Sequence, residues 1–135
     1  MRFLDTNVLL YSVSTNLNER VKRHVAEQLL SEHDNALSVQ VLEEFYAQAT
    51  RATRSGALAH ATAVNLIHTW LRFPVQSMTV AVMRAALDIK VAAGLSYWDA
   101  AIVSAARALG CTELYSEDMQ QGREIAGITI VNPFR

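Results

Sequence analysis

Arg2-Phe3-Leu4-Asp5-Thr6-Asn7-Val8-Leu9-Leu10-Tyr11 carries the chain from an apolar stretch through a polar tip into a second apolar stretch. Apolar residues running up to an Asp predict a strand that ends in a polar turn, with Val8 to Tyr11 starting a short buried segment. From about Asn18 to His33, Val21, Val25, Leu29 and Leu30 recur at helical spacing with charged residues between them, which predicts an amphipathic helix. Ala36 to Ser38 read as a brief second strand. Val41, Leu42, Phe45, Tyr46 and Ala49 then predict a helix ending near Arg54, with Gly56 as its stop. Leu58 to Trp70 predicts another helix, and Pro74 marks a boundary before a strand over Val75 to Met78. A further helix over Val80 to Ala93 halts at Gly94. Ser96 stands where an N-cap belongs, ahead of an apolar helix through Ala100, Ile102, Ala105 and Leu109 that Gly110 closes. Thr112 to Tyr115 and Ile128 to Val131 supply the remaining strands. Helices alternating with short β-rich stretches predict an α/β fold, a three-layer α/β/α sandwich around a short-stranded, mostly parallel sheet.

With 135 residues, 51% hydrophobic and 19% charged, the expectation is one domain over 1–135. Twelve basic residues against 13 acidic ones leave a net charge of -1, which excludes a global attraction to nucleic acid or anionic lipid. Contact with either must be local. Only Lys22 and Lys90 are lysines; the other basic residues are arginines, which suit bidentate phosphate contacts better. Cys111 is the sole cysteine, so neither an internal disulfide nor a thiolate-rich zinc site can form, and a reducing cytosol is the expected home. Asp5 interrupts the first apolar stretch, no small-residue cleavage pattern follows, and no apolar run approaches the roughly twenty residues of a membrane span. The reading is a soluble, cytoplasmic protein without a membrane partner.

Asp5, Glu44, Asp99 and Asp118 each fall where a strand gives way to a helix or in the first turns of a helix beside such a junction. In open α/β sheets such positions can converge at the carboxyl ends of the strands, near the point where strand order reverses. Clustered carboxylates repel one another unless a cation neutralises them, and oxygen-only ligands suit Mg²⁺ or Mn²⁺. Each acid also has a plain structural reading. Asp5 and Asn7 serve equally as turn former and helix N-cap. Ser96-Tyr97-Trp98-Asp99 reads as a capping box with Asp in place of Glu. Asp118 reads as an ordinary loop acid, and Glu44 as a solvated helix acid.

Four blocks resemble those of PIN-domain ribonucleases, in that family's order and near its spacing. They are the opening stretch through Tyr11, then Ser38-Val39-Gln40-Val41-Leu42-Glu43-Glu44-Phe45, then Ser96-Tyr97-Trp98-Asp99-Ala100-Ala101-Ile102, and last Leu114-Tyr115-Ser116-Glu117-Asp118-Met119. The resemblance runs essentially end to end and extends to the VapC-like toxins of toxin-antitoxin pairs. It implies an acidic pocket in which Asp5 and Asp99 are the central ligands of Mg²⁺ or Mn²⁺. Glu44 and Asp118 complete the set, and Ser116 and Asn7 hydrogen-bond around it. It implies RNA as substrate, cut by metal-activated water, a cognate antitoxin protein as partner, and a homodimer. Helical period alone does not separate Glu44 from Glu43, which flank the apolar stripe of their helix on opposite sides; the resemblance selects Glu44.

His24, His33, His60 and His68 show no paired spacing with cysteine and are read as surface or core. Arg51 and Arg54 are read as cations favoured at a helix C-terminus, with a phosphate grip as the alternative. Trp70, Phe73, Tyr97 and Trp98 sit beside apolar neighbours at helical spacing and are read as core rather than base-stacking groups. Phosphatases of the haloacid dehalogenase type need a second Asp where Asn7 stands, and response-regulator receivers need a late lysine, yet none follows Lys90. The remaining rival is a PIN fold that binds protein or RNA without catalysis, for which four retained acids have no use.

Overall fold

Phe3 and Leu4 have no solvent exposure, because the strand they form lies in the middle of the sheet. The computed structural model describes residues 1–135. β1 (Arg2–Leu4) leads into α1 (Thr6–Ser12), a single 3₁₀ turn at Leu17–Glu19, α2 (Arg20–Ser31) and β2 (Asn35–Ser38). α3 (Val39–Ala49), α4 (His60–Trp70) and β3 (Val75–Gln76) follow, then α5 (Val80–Ala93), α6 (Tyr97–Ala108) and β4 (Glu113–Tyr115). β5 (Glu124–Ile125) and β6 (Ile128–Val131) close the chain.

The sheet order is β3-β2-β1-β4-β6-β5. β1 pairs in parallel with β2 on one side and with β4 on the other; β2–β3 and β4–β6 are also parallel, and only the β5–β6 edge is antiparallel. The chain therefore builds outward from β1 to β3, then returns to the other side of β1 with β4. Right-handed crossovers in opposite directions put their helices on opposite faces, which yields the three-layer sandwich. The reversal leaves a crevice beyond the carboxyl ends of β1 and β4.

Local sequence starts most of these helices. The side chains of Asp5, Ser38, Thr79 and Ser96 accept N–H groups of the first turns of α1, α3, α5 and α6. Gly94, at φ 67, takes the left-handed position that ends α5. The small residues Ala100, Ala101, Ala105 and Ala106 let α6 approach closely, and the buried Ser104 hydroxyl donates to the Val82 carbonyl of α5 at 2.8 Å.

Several boundaries differ from the sequence reading. The segment after Asp5 is a full helix. α2 stops at Ser31 rather than His33, α3 stops at Ala49 rather than near Arg54, and α4 begins at His60 rather than Leu58. At the α3–α4 junction the Leu58 N–H returns to the Ala49 carbonyl at 2.8 Å, closing a loop where periodicity alone would continue the helix. β3 is two residues long, paired only where β2 reaches it. β5 was not anticipated: its turn to β6 uses Ala126 at φ 51 and Gly127 at φ 84, both positive as in a type I′ hairpin, and Ala is no turn signal. No helix is long and apolar enough to cross a membrane.

Candidate metal centre

The strand end at Asp5 meets the strand end at Ser116 across the β1–β4 crevice. The Asp5 N–H donates to the Tyr115 carbonyl at 3.0 Å, which locks the two ends together. The Asp5 carboxylate is 4% exposed; Oδ1 accepts from the Thr6 N–H at 2.7 Å and Oδ2 from the Ser116 hydroxyl at 2.7 Å. Burial pushes its pKa up from 3.8 to about 6, against the two hydrogen bonds; the charges of Asp118 and Glu44 add to the rise. Ser116 is fully buried, and its Oγ also accepts the Asp118 N–H at 3.1 Å and the Asn7 amide at 3.4 Å. Asn7 Nδ2 reaches Asp118 Oδ2 at 3.2 Å, while its Oδ1 accepts the Glu117 N–H at 3.4 Å. Asn7, on the first turn of α1, thus holds the loop that carries Asp118.

Glu44 arrives from α3. Its Oε2 accepts the Thr6 hydroxyl at 2.8 Å and its Oε1 accepts Gln40 Nε2 at 2.9 Å. Glu43 is exposed, whereas Glu44 is half-buried beside Thr6. Asp99 stands half-buried on the first turn of α6, where Ser96 Oγ accepts its N–H at 3.2 Å. Its carboxylate makes no reciprocal bond to the Ser96 N–H, so half of a capping box is formed. Burial raises the Asp99 pKa, the Asp118 and Glu44 charges add to this, and the Ser96 hydroxyl opposes it.

Asp5, at the β1 end, and Asp99, on α6, each feel the charges of Asp118 in the β4 loop and Glu44 on α3. They are not drawn into a ready cage: no three His, Cys, Asp or Glu side chains stand close enough together to hold a metal ion. Hydrogen bonds from Thr6, Ser116, Asn7 and Gln40 hold Asp5, Asp118 and Glu44 instead. The donor chemistry fits a hard divalent cation. Every candidate ligand is a carboxylate, all four histidines are exposed, and Cys111 is buried at the far, amino end of β4.

Thr6 and Gln40 were not singled out in the sequence. Thr6 bridges Asp5 and Glu44 through its N–H and its hydroxyl, and Gln40 joins Glu44 to the Trp98 carbonyl at 3.1 Å. The i, i+4 spacing of Gln40 and Glu44 on a helix was the available signal. Two readings are corrected. Trp70 and Phe73 are buried and Tyr97 is half-buried as expected of core, but Trp98 is 62% exposed. Arg54 lies in the loop beyond α3, where it lines a cleft with Asn7 and Asp118, so the helix dipole does not account for it. Glu117, beside Asp118, is occupied elsewhere. It accepts Lys22 at 2.6 Å and the Tyr11 hydroxyl at 2.5 Å; burial pushes its pKa up, and these partners outweigh that and lower it.

The sequence profile of the PIN domain matches residues 2–123. Solved structures share the fold at low identity. A toxin-antitoxin complex from Klebsiella pneumoniae superposes with a TM-score of 0.71 at 18% identity, covering 99% of this chain and 98% of that one. Mycobacterium tuberculosis VapC20, described as a Sarcin-Ricin loop cleaving toxin, gives 0.69 at 19% identity over 87% of this chain and 90% of that one. DNA-bound VapBC from Salmonella typhimurium gives 0.67 at 17% identity over 96% and 95%. No curated protein matches the chain by sequence.

Proposed function

The chain belongs to the PIN-domain family, and on that premise we propose that it is a divalent-metal-dependent endoribonuclease, the toxin of a toxin-antitoxin pair. The observation that carries this reading is that Asp118 and Glu44 act on both Asp5 and Asp99, with Asp5, Glu44 and Asp118 held by hydroxyl and amide hydrogen bonds. Asp5 and Asp99 would hold Mg²⁺ or Mn²⁺ centrally, with Glu44 and Asp118 completing the ligand set.

When bound, such a cation supplies an acidified water as nucleophile and screens the phosphate charge. The chain's own groups do the rest. Ser116 and Thr6 fix the rotation of the Asp5 carboxylate, Thr6 and Gln40 that of Glu44, and Asn7 that of Asp118. Burial of Asp5 raises the cost of its charge, a cost that a bound cation would offset.

RNA is the substrate in this reading, a cognate antitoxin covers the site, two copies form a homodimer, and the protein works in the cytoplasm. The structural neighbour described as a toxin-antitoxin complex supports the antitoxin assignment. Incubating purified protein with structured and unstructured RNAs, with and without Mn²⁺, and mapping the new ends tests it. Cleavage should appear with Mn²⁺ or Mg²⁺ and vanish in excess EDTA. Undiminished cutting in EDTA overturns the metal role, and RNA binding without cutting would make the chain a binding module.

A further inference from the structure

Two clefts flank the carboxylates. One, of about 430 Å³, lies on the Glu44 side between Gln40, Glu43, Glu44, Ala47 and Trp98. The other, of about 200 Å³, lies on the Asp118 side and includes Asn7, Tyr11, Arg54 and Asp118.

The indole of Trp98 is 62% exposed, an unusual cost for the largest apolar ring, yet its position is built. Tyr97 packs edge-on against it, with centroids 5.0 Å apart at 78°. Gln40 binds the Trp98 carbonyl and Glu44 with the same amide nitrogen, so the backbone that carries the ring is tied to an acid of the site. The chemistry of the cleft selects its occupant. An aliphatic protein segment would find only Ala47 and the indole to pack on. Phosphate would meet Glu43 and Glu44. A nucleobase satisfies both features, stacking on the indole while its ring and amino N–H groups donate to a carboxylate. On the other side, Arg54 is half-buried and forms no ion pair, although acids surround it. Glu117 in this cleft is already paired with Lys22, so Arg54 supplies the cleft's unpaired positive charge, which suits a phosphate.

We propose that single-stranded RNA crosses the carboxylates with one base stacked on Trp98 and the phosphate of a nearby nucleotide on Arg54. Duplex RNA is disfavoured because its bases are already stacked on both faces. The proposal rests on the ribonuclease reading above and assigns Trp98 and Arg54 as positioning residues.

Fluorescence offers a direct readout, since Trp70 is 4% exposed and quenching by RNA reports on Trp98. A single-stranded oligoribonucleotide is titrated into Asp99→Asn protein in Mg²⁺, so that binding is read without cutting. It should quench Trp98, and a duplex of equal length should not. In the same background Trp98→Ala should weaken binding about tenfold or more, with Trp98→Phe within about threefold. Arg54→Gln should weaken all sequences alike and lower the salt slope by about one, which Trp98→Ala should leave unchanged. With Asp99 intact, Trp98→Ala should raise KM at nearly constant kcat. Should the parent protein bind and cut RNA while neither substitution alters affinity or KM, this path is wrong and the nuclease reading stands. If no RNA is bound or cut, both fall.

Discussion

Asp5 combines the deepest burial in the site with two hydrogen bonds to its carboxylate, and the balance sets a testable pH dependence. Its folded pKa of about 6 exceeds the unfolded 3.8, so the folded state holds the proton more tightly. The destabilisation is absent below pH about 4, grows as pH rises toward 6, and is complete above it. Two pK units correspond to about 3 kcal/mol for this buried group. Urea unfolding in EDTA should therefore show the wild type losing up to that much between pH 4 and 7, and Asp5→Asn losing less while cutting no RNA. Equal pH profiles for the two proteins would show that Asp5 is ionised at little cost. Glu44 and Glu43 supply a second residue-scale comparison. Glu44 is tied to Thr6 and Gln40 while Glu43 faces solvent. Glu44→Gln should reduce metal-dependent cleavage by tenfold or more and Glu43→Gln by far less; the reverse result would move the functional acid one position along α3.

The β5–β6 hairpin carries an element-scale strain that the rest of the fold does not need. Ala126 sits at φ 51, a left-handed conformation that costs an L-residue with a Cβ roughly 1–2 kcal/mol. Asn tolerates this region better. Ala126→Asn should stabilise the protein by about 0.5–1 kcal/mol, read as a rise in the urea midpoint. Because β6 runs parallel to β4, its first residue lies at the end of the sheet away from Ser116 and Asp5. Cleavage should be unaltered, and a loss of activity would mean the hairpin communicates with the site.

At the scale of the whole molecule, the central strands and the site share one framework, so Cys111 can report on both. It is 4% exposed, its N–H bonds to the Ala106 carbonyl, and burial pushes its thiol pKa up. Thiolate is scarce and access requires opening. Alkylation should be slow in native buffer, accelerate at the same urea concentration as the loss of helical circular dichroism, and slow further with Mg²⁺ through linkage. Rapid labelling of the native protein would reveal local opening at the start of β4.

The four acids stood out as a set through the family resemblance, since each alone also had a plain structural reading, whereas Ser96 as a helix cap was legible from its local position. Periodicity found most helices, which depend on neighbours within about four residues, and the alternation of helices with short β-rich stretches pointed to the parallel core. Helix ends around Ala49 and His60 were misjudged because a backbone bond from Leu58 closes the loop there, and the Ala126 turn because its residue type argues against its conformation. Only tertiary structure decided which groups meet. Ser116 binds Asp5 across 111 positions of chain, and Thr6 binds Glu44 across 38. Spacing could not say that Trp98 faces solvent or that Arg54 lines one cleft with Asp118. Residue types and short-range order belong to the chain as written, whereas exposure and partnership depend on which layer covers each face, and that is set by the order of strands in the sheet.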